Sequence, residues 1–255
     1  MTPHCFWRAA PGRARLATVM MLALGAGCGA PAPTDEEEAA LVAAAPERHH
    51  QPNPQLFEVD AHPYGLGLLE WAEGWMRWEY SIPAATNPQI VAGADYDQHQ
   101  VGPVYFVPLG TNHNDAFTVP RHKALALMLS QIGNDYPCPD PNFKPAPGQS
   151  LFDFLSAGLT TVNDNITTLE VTIDGRPVVD PGRYRFTSKH LFYFIGDPSL
   201  AASFDSCVTG RPQPAVVDDV FLLLKPLGRG QHVITTHIVN RDGNVFDRTH
   251  TITSD

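Results

Sequence analysis

Apolar and polar residues alternate in a succession of short segments over the C-terminal part of this chain. The segments span residues 167–179, 184–196, 220–239 and 243–254. Such alternation predicts strands with one buried face. Turn residues separate the segments, and Asp174-Gly175 is typical of a two-residue hairpin. Short strands at this spacing favour a mainly β fold, an antiparallel sandwich of the immunoglobulin-like or jelly-roll type.

The N-terminal half of the folded region adds fewer elements. Residues 102–110 form an apolar run bounded by glycine and proline, which predicts a buried strand. Residues 123–132 carry alternating leucines and are also predicted as a strand, with a helix as the alternative. Residues 149–162 are predicted as a short second helix with Ser150 as its N-cap.

The stretch WAEGWMRWEY, residues 71–80, holds three of the four tryptophans. Leu68, Trp71, Trp75 and Trp78 follow helical spacing, so they share one face of a helix that Pro83 ends. A ligand platform is the alternative interpretation, but an aromatic stripe at this spacing is more typical of a core. The remaining face, with Glu70, Glu73, Arg77 and Glu79, is expected to face solvent.

The N-terminus predicts export. Three arginines precede an apolar run from Leu16 to Gly27, which is too short to span a membrane as a helix. The run ends in LGAGC, which resembles the lipobox of bacterial lipoproteins. We therefore expect residues 1–27 to be a signal peptide and Cys28 to carry a lipid. The alternative is an ordinary signal peptide cut near Ala30 or Ala32.

Residues 28–59 are rich in Ala, Pro and acidic residues, which predicts a flexible tether. The globular domain is expected over 60–255, as one body or as two packed lobes, 60–148 and 149–255. Removal of three arginines with residues 1–27 leaves 14 basic against 27 acidic residues, a formal charge of −13. That balance excludes nucleic acid as a partner. We expect the lipid on Cys28 to attach the protein to a membrane. The expected location is the bacterial cell envelope, outside the cytoplasm.

Two cysteines remain after Cys5 and Cys28 are set aside. Cys138 and Cys207 both lie in turn-rich sequence. An even number of cysteines in an exported protein predicts a disulfide, here between these two. A loop of about 70 residues closed this way contributes on the order of 4 kcal/mol in the chain-entropy model.

Recognisable catalytic signatures are missing from the sequence, including G-x-S-x-G, H-E-x-x-H and the P-loop. The most suggestive polar residues lie in two loops that flank one predicted strand, at Asp95, Asp97, Asn112, Asn114 and Asp115. Oxygen donors of this kind suit calcium, although Asn and Asp also populate turns for conformational reasons. We expect no other cofactor.

Three stretches resemble a group of secreted bacterial proteins without an established activity. They are SIPAATNP (81–88), HQVGPVYFVPLG with FTVPRHKALAL (99–127), and LEVTIDGRPV, YRFTS and VVDDVFLLLKPLGRGQHVITTHI within 169–238. The resemblance implies an immunoglobulin-like sandwich. The sequence departs from the group at Phe117, where the group has a cysteine.

These observations favour a non-catalytic binding or structural role in the envelope, with a glycan or protein as partner. The alternative is a glycoside or ester hydrolase on the same β-sandwich scaffold. The two carboxylates that glycoside hydrolysis requires are recognised by their separation in space, which the sequence does not give.

Overall fold

The computed structural model describes residues 53–109 and 114–255, which form two five-stranded sheets and two α-helices. The first sheet contains β1 (Val104–Val107), β3 (Ala124–Asp135), β6 (Arg185–Thr187), β7 (Phe192–Phe194) and β8 (Gln213–Leu224). The second contains β2 (Asn114–Val119), β4 (Ile166–Ile173), β5 (Arg176–Pro177), β9 (Gly230–Asn240) and β10 (Val245–Ser254). The helices are α1 (Leu68–Ser81) and α2 (Leu151–Ser156).

The two sheets pack face to face. Their order is β1-β3-β8-β6, with β7 also on β8, and β2-β10-β9-β4-β5. One continuous apolar core joins them, with Leu125 and Leu222 from the first sheet and Ile234 and Ile252 from the second. The predicted mainly β sandwich is thereby confirmed. Two edge pairs, β1 with β3 and β2 with β10, are parallel, whereas the other pairs are antiparallel.

Helix α1 covers the outer face of the first sheet. Trp75 is fully buried, Trp78 is 4% exposed and Trp71 is half-buried. Each indole N–H donates to a backbone carbonyl, at 2.7 Å for Trp75 and Val107 and at 2.8 Å for Trp78 and Gln98. Buried indoles with satisfied N–H groups are core residues. The structure therefore supports the core interpretation of the tryptophan stripe.

The expected solvent face of α1 is wrong at two positions. Glu73 is 3% exposed and Glu79 is fully buried. The helix lies against β3, β6, β7 and β8, so its buried arc is wider than the apolar stripe alone. Burial of a charged carboxyl group is costly, so it disfavours the ionised form of both glutamates.

The predicted strands and turns of the C-terminal half are present. The hairpin between β4 and β5 turns on Asp174 and Gly175, whose φ angles of 51° and 72° suit a two-residue turn. Helix α2 is shorter than predicted, and Ser150 is its N-cap, accepting a hydrogen bond from Asp153 N at 3.1 Å. Residues 124–135 form a strand, as predicted.

The folded region starts before residue 60. Leu56 is 3% exposed and forms a β-bridge with Leu224, so residues that composition assigned to the tether belong to the fold. Both halves of the domain contribute strands to both sheets, and they form one body rather than two lobes. The signal peptide and Cys28 lie outside the described residues. No helix within 53–109 or 114–255 has the length and apolar character to cross a membrane.

The predicted disulfide between Cys138 and Cys207 is present, with the two Cα atoms 4.2 Å apart. It connects the loop after β3 to the segment before β8, two strands that pair along most of their length. The bridge therefore fixes one end of the central strand pair of the first sheet.

Candidate functional site

A pocket of about 550 Å³ opens at one edge of the sandwich. Its walls are β1 and β2, the edge strands of the two sheets, and the loop 93–97. Tyr105 of β1 points between the sheets and stacks on Phe117 of β2, with ring centroids 6.1 Å apart. The pocket lining consists of Gly93, Ala94, Asp95, Tyr96, Asp97, Tyr105, Asn114, Asp115, Ala116, Phe117 and Thr118.

Asp115 is the centre of the polar part of this pocket. It pairs in register with His250 of β10, and His250 Nδ1 lies 2.6 Å from Asp115 Oδ1. Tyr96 donates its hydroxyl to the other carboxylate oxygen at 2.7 Å. Arg248 lies two residues before His250 in β10 and adds positive charge near Asp115. Both oxygens of Asp115 are therefore engaged by fixed partners.

A second tyrosine is held in the same way at the rim. Tyr105 donates to Asp97 Oδ1 at 2.9 Å, and Asp95 Oδ1 accepts from Asp97 N at 2.9 Å in an Asx turn. Burial raises the pKa of both Tyr96 and Tyr105 above its usual range, and their bonds to Asp115 and Asp97 raise it further. Both hydroxyls therefore remain protonated donors at neutral pH.

An aromatic cluster forms the base of the pocket. Phe117 contacts Tyr96 at 5.0 Å between centroids and meets the His250 ring edge to face at 6.1 Å. Tyr96 and Tyr105 are largely buried, whereas Phe117 is half-buried and lines the opening. The pocket thus combines an apolar floor with carboxylates at its rim, a combination that suits recognition of a polar organic ligand.

The structure brings four of the five predicted loop residues into this pocket. Asp95, Asp97 and Asn114 are exposed, and Asp115 lies deeper. Asn112 lies outside the described residues. The calcium hypothesis gains no support, because within the described ranges the one group of three His, Cys, Asp or Glu donor atoms inside 4.8 Å is Asp135, Cys138 and Cys207. The two sulfurs of that group are bonded to each other.

Sequence reasoning missed the aromatic and histidine members of the site. Tyr96, Tyr105, Phe117 and His250 belong to four different segments, and His250 is 135 positions from its partner Asp115. Only the parallel pairing of β2 with β10 places these two side by side. The available signal was the alternation of β10, which puts His250 on the same face as the buried Ile252.

Two consecutive aspartates of β8 form separate polar clusters on opposite faces of the first sheet. Asp218 projects toward β6 and the segment before β4, and it is fully buried. Arg185 binds it through Nε and Nη2 at 3.0 and 2.8 Å, and Thr187 and Asn163 donate to the same carboxylate. Burial opposes the charge on Arg185, but its bonds to Asp218 and Asp164 prevail and raise its pKa above the ordinary value.

Asp219 points the other way, toward α1, and is also fully buried. No side chain donates to its carboxyl oxygens, and only a weak interaction with the backbone of Ile132 favours its charge; Glu73 Oε1 and Gln131 Nε2 nearby also have no hydrogen-bond partner. Gln131 pairs in register with Asp219 across β3 and β8. Burial raises the pKa of Asp219 well above 3.8, and the neighbouring Asp218 and Glu73 raise it further.

Comparison with known proteins does not assign a family to this chain. No protein-family model, no curated protein and no solved structure matches it. Any functional conclusion therefore rests on the residues of the site.

Proposed function

We propose that this protein is a non-catalytic binding module of the bacterial cell envelope, held to a membrane by a lipid on Cys28. The observation that carries the binding role is the pocket of about 550 Å³ between the edge strands, with its aromatic floor and its acidic rim. Binding through one end or edge is typical of sandwich domains, because the strands hold the loops rigidly.

The chemistry of the pocket favours a hydroxyl-rich ligand such as a short glycan. The exposed carboxylates of Asp95 and Asp97 accept hydrogen bonds from hydroxyl groups, and the half-buried ring of Phe117 offers an apolar face. The existing bonds from Tyr105 to Asp97 and from Tyr96 to Asp115 fix the site before a ligand arrives. A preformed site loses little conformational entropy on binding.

A hydrolase is the second candidate, and the bond between His250 and Asp115 is the observation that favours it. A carboxylate that orients an imidazole is a common part of general-base catalysis. However, the His250 side chain is 3% exposed and that of Asp115 is 10% exposed. His250 also does not line the pocket, so its imidazole is poorly placed to meet a substrate. Binding is therefore the better-supported function.

The binding role is tested by calorimetric titration of the full chain with envelope glycans and their oligosaccharides. Asp95→Ala and Asp97→Ala should each weaken binding at least about tenfold, since each removes an acceptor worth about 1.5 kcal/mol or more to a bound hydroxyl. Asp60→Ala changes an exposed aspartate outside the pocket and serves as the matched control. Equal binding by all three variants contradicts the proposal, as does turnover of a glycoside or ester that His250→Gln abolishes.

The lipid anchor is tested separately by growth with labelled palmitate. The wild-type chain should incorporate label, and Cys28→Ala should not. Equal labelling of the two chains, or a mature N-terminus downstream of Cys28, contradicts lipidation at this residue.

A further inference from the structure

The disulfide lies beside a buried carboxyl group that the ligand pocket does not use. Asp135, the last residue of β3, is 5% exposed, and a carboxyl oxygen of it lies within 4.8 Å of both Cys138 Sγ and Cys207 Sγ. Asp135 lies ten positions along β3 from Leu125, the register partner of the pocket residue Tyr105, so it takes no part in the ligand pocket. Its placement raises the question of what proton it exchanges.

The surroundings fix the orientation of this acid. Gln213 Nε2 donates to Asp135 Oδ2 and, at 3.0 Å, to the carbonyl oxygen of Cys207. The amide orientation of Gln213 is unambiguous, because its Oε1 accepts from both the backbone N–H and the hydroxyl of Thr209. Gln213 therefore holds the acid and the Cys207 segment together in a buried network.

The two sulfurs differ in access. Cys138 is half-buried and lies between the exposed Pro137 and Pro139, whereas Cys207 is 3% exposed. A nucleophile from solvent therefore reaches Cys138 first, and the buried Cys207 becomes the leaving group. A thiolate released in a buried site is costly unless it receives a proton at once.

We propose that Cys138 and Cys207 form an exchangeable disulfide, and that Asp135 is the residue that supplies and removes the proton of Cys207. The co-reactant is a dithiol reductant, or the corresponding disulfide in the reverse direction. This inference is independent of the ligand pocket.

The exchange balances in two steps. A thiolate of the reductant attacks Cys138 Sγ, the bond to Cys207 breaks, and the electron pair goes to Cys207 Sγ, which takes the proton of Asp135. The second thiol of the reductant loses its proton to water and attacks its own sulfur in the mixed disulfide. Cys138 leaves as a thiolate and takes a proton from water. The protein gains two electrons, and the dithiol becomes a disulfide.

The protonation of Asp135 suits this role near neutral pH. Burial, and after it the nearby charge of Asp205, raise the pKa of Asp135 to about 8 against the lowering effect of the hydrogen bond from Gln213. The other ionisable group that faces this site is Tyr80, whose hydroxyl donates to Asp205 Oδ2 at 3.1 Å. Burial raises the pKa of Tyr80 well above its ordinary value, so it stays neutral.

The test is the rate of reduction of the full chain by dithiothreitol, followed by alkylation at intervals and mass spectrometry of the Cys138 and Cys207 peptides. Asp135→Asn should be reduced about tenfold more slowly than wild type at about pH 6, where a general acid is available to assist. At about pH 10 the variant should be reduced as fast as the wild type or faster, because the ionised Asp135 of the wild type repels the departing thiolate. Because variant and wild type are compared at the same pH, the thiolate fraction of dithiothreitol is the same for both and does not affect the ratio of their rates.

Asp219→Asn is the matched control, because it makes the same replacement at another buried acid, six positions along β8 from Gln213, and it should be reduced at the wild-type rate. If Asp135→Asn does not fold, the wild-type profile alone decides. Its rate, corrected for the thiolate fraction of the reductant, should fall between about pH 7 and pH 9 around the pKa of Asp135. A flat profile, or a ratio of variant to wild type that is the same at both pH values, overturns the proposal.

Discussion

Two aspartates on opposite faces of β8, Asp218 and Asp219, have very different surroundings. Asp218 and Asp219 are adjacent and both fully buried, yet Asp218 binds Arg185, Thr187 and Asn163, whereas no side chain donates to Asp219. Asp218 forms an ion pair with the half-buried Arg185, whereas Asp219 is an acid that burial drives toward its neutral form. The comparison shows that partners, rather than burial, decide what a buried carboxyl group does.

The difference follows from the layers of the fold. On the inner side, the segments before β4 and at β6 bring polar side chains to Asp218. On the outer side, helix α1 presents Trp75, Met76 and Glu73 to the sheet, and its nearest cation, Arg77, lies 3.5 Å from Glu73. In this outer cluster of Asp219, Glu73 and Gln131, the carboxyl groups outnumber the side chains that donate hydrogen bonds to them.

Arg185→Leu should cost about 3–5 kcal/mol in the free energy of unfolding, because it leaves the Asp218 charge buried without its partner. Urea unfolding at neutral pH measures this. Arg183→Leu is the matched control, since the Arg183–Glu58 pair is 40% and 46% exposed and should contribute less than about 1 kcal/mol. Equal losses of stability in the two variants would contradict the prediction that the Arg185–Asp218 pair contributes more than the exposed Arg183–Glu58 pair.

Trp75→Ala should also cost about 3–5 kcal/mol, as aromatic truncation in a core does. The lost indole is fully buried, and its N–H donates to Val107 O. Trp71→Ala, on the same helix but half-buried, should cost clearly less when both are measured by urea unfolding. A negligible loss at Trp75 would show that α1 is not firmly held over the outer cluster.

Asp219→Asn should change stability by less than about 1 kcal/mol near pH 4, and the variant should gain on wild type as the pH rises. The folded-state pKa of Asp219 lies above its ordinary 3.8, so its contribution to stability is present below pH 4 and is lost as pH rises through the folded-state pKa. An asparagine cannot ionise and escapes that loss. Unfolding curves for both chains across the pH range measure the difference, and a gap that does not change with pH would contradict a raised folded-state pKa for Asp219.

Asp95→Ala should change the free energy of unfolding by only about 0.5 kcal/mol, since Asp95 is exposed at the rim of the pocket. Its carboxylate is exposed to solvent, unlike the paired Asp218 and the buried Asp219. Thermal unfolding suffices to measure so small a change. A loss comparable with that of Arg185→Leu would place Asp95 in the core network instead of the ligand site.

Much of the architecture was predictable from local pattern. The alternation over 167–254, the tryptophan spacing of α1 and the Asp174-Gly175 turn each specify an element through interactions of near neighbours. The two parallel edge pairs were not predictable, because register between strands far apart in sequence depends on packing of the whole sandwich. The short extent of α2 likewise reflects tertiary packing.

The candidate site was predictable only in part. Asp95, Asp97, Asn114 and Asp115 stand out as clustered polar loop residues, and they do line one pocket. That Asp115 is bound by Tyr96 and His250, and so is not a free metal ligand, depends on contacts over 19 and 135 positions of sequence. No local pattern encodes such contacts.

The mainly β class, the tryptophan helix and the Cys138–Cys207 pair follow from local pattern, because periodicity and cysteine content act through short-range or covalent constraints. Which acids are paired, isolated or exposed depends on the packing of the folded chain. Asp218 and Asp219 are identical in composition and adjacent in sequence, and they differ only in the face of β8 from which each projects. Successive side chains of a strand point to opposite sides, so neighbours along the chain enter different chemical environments.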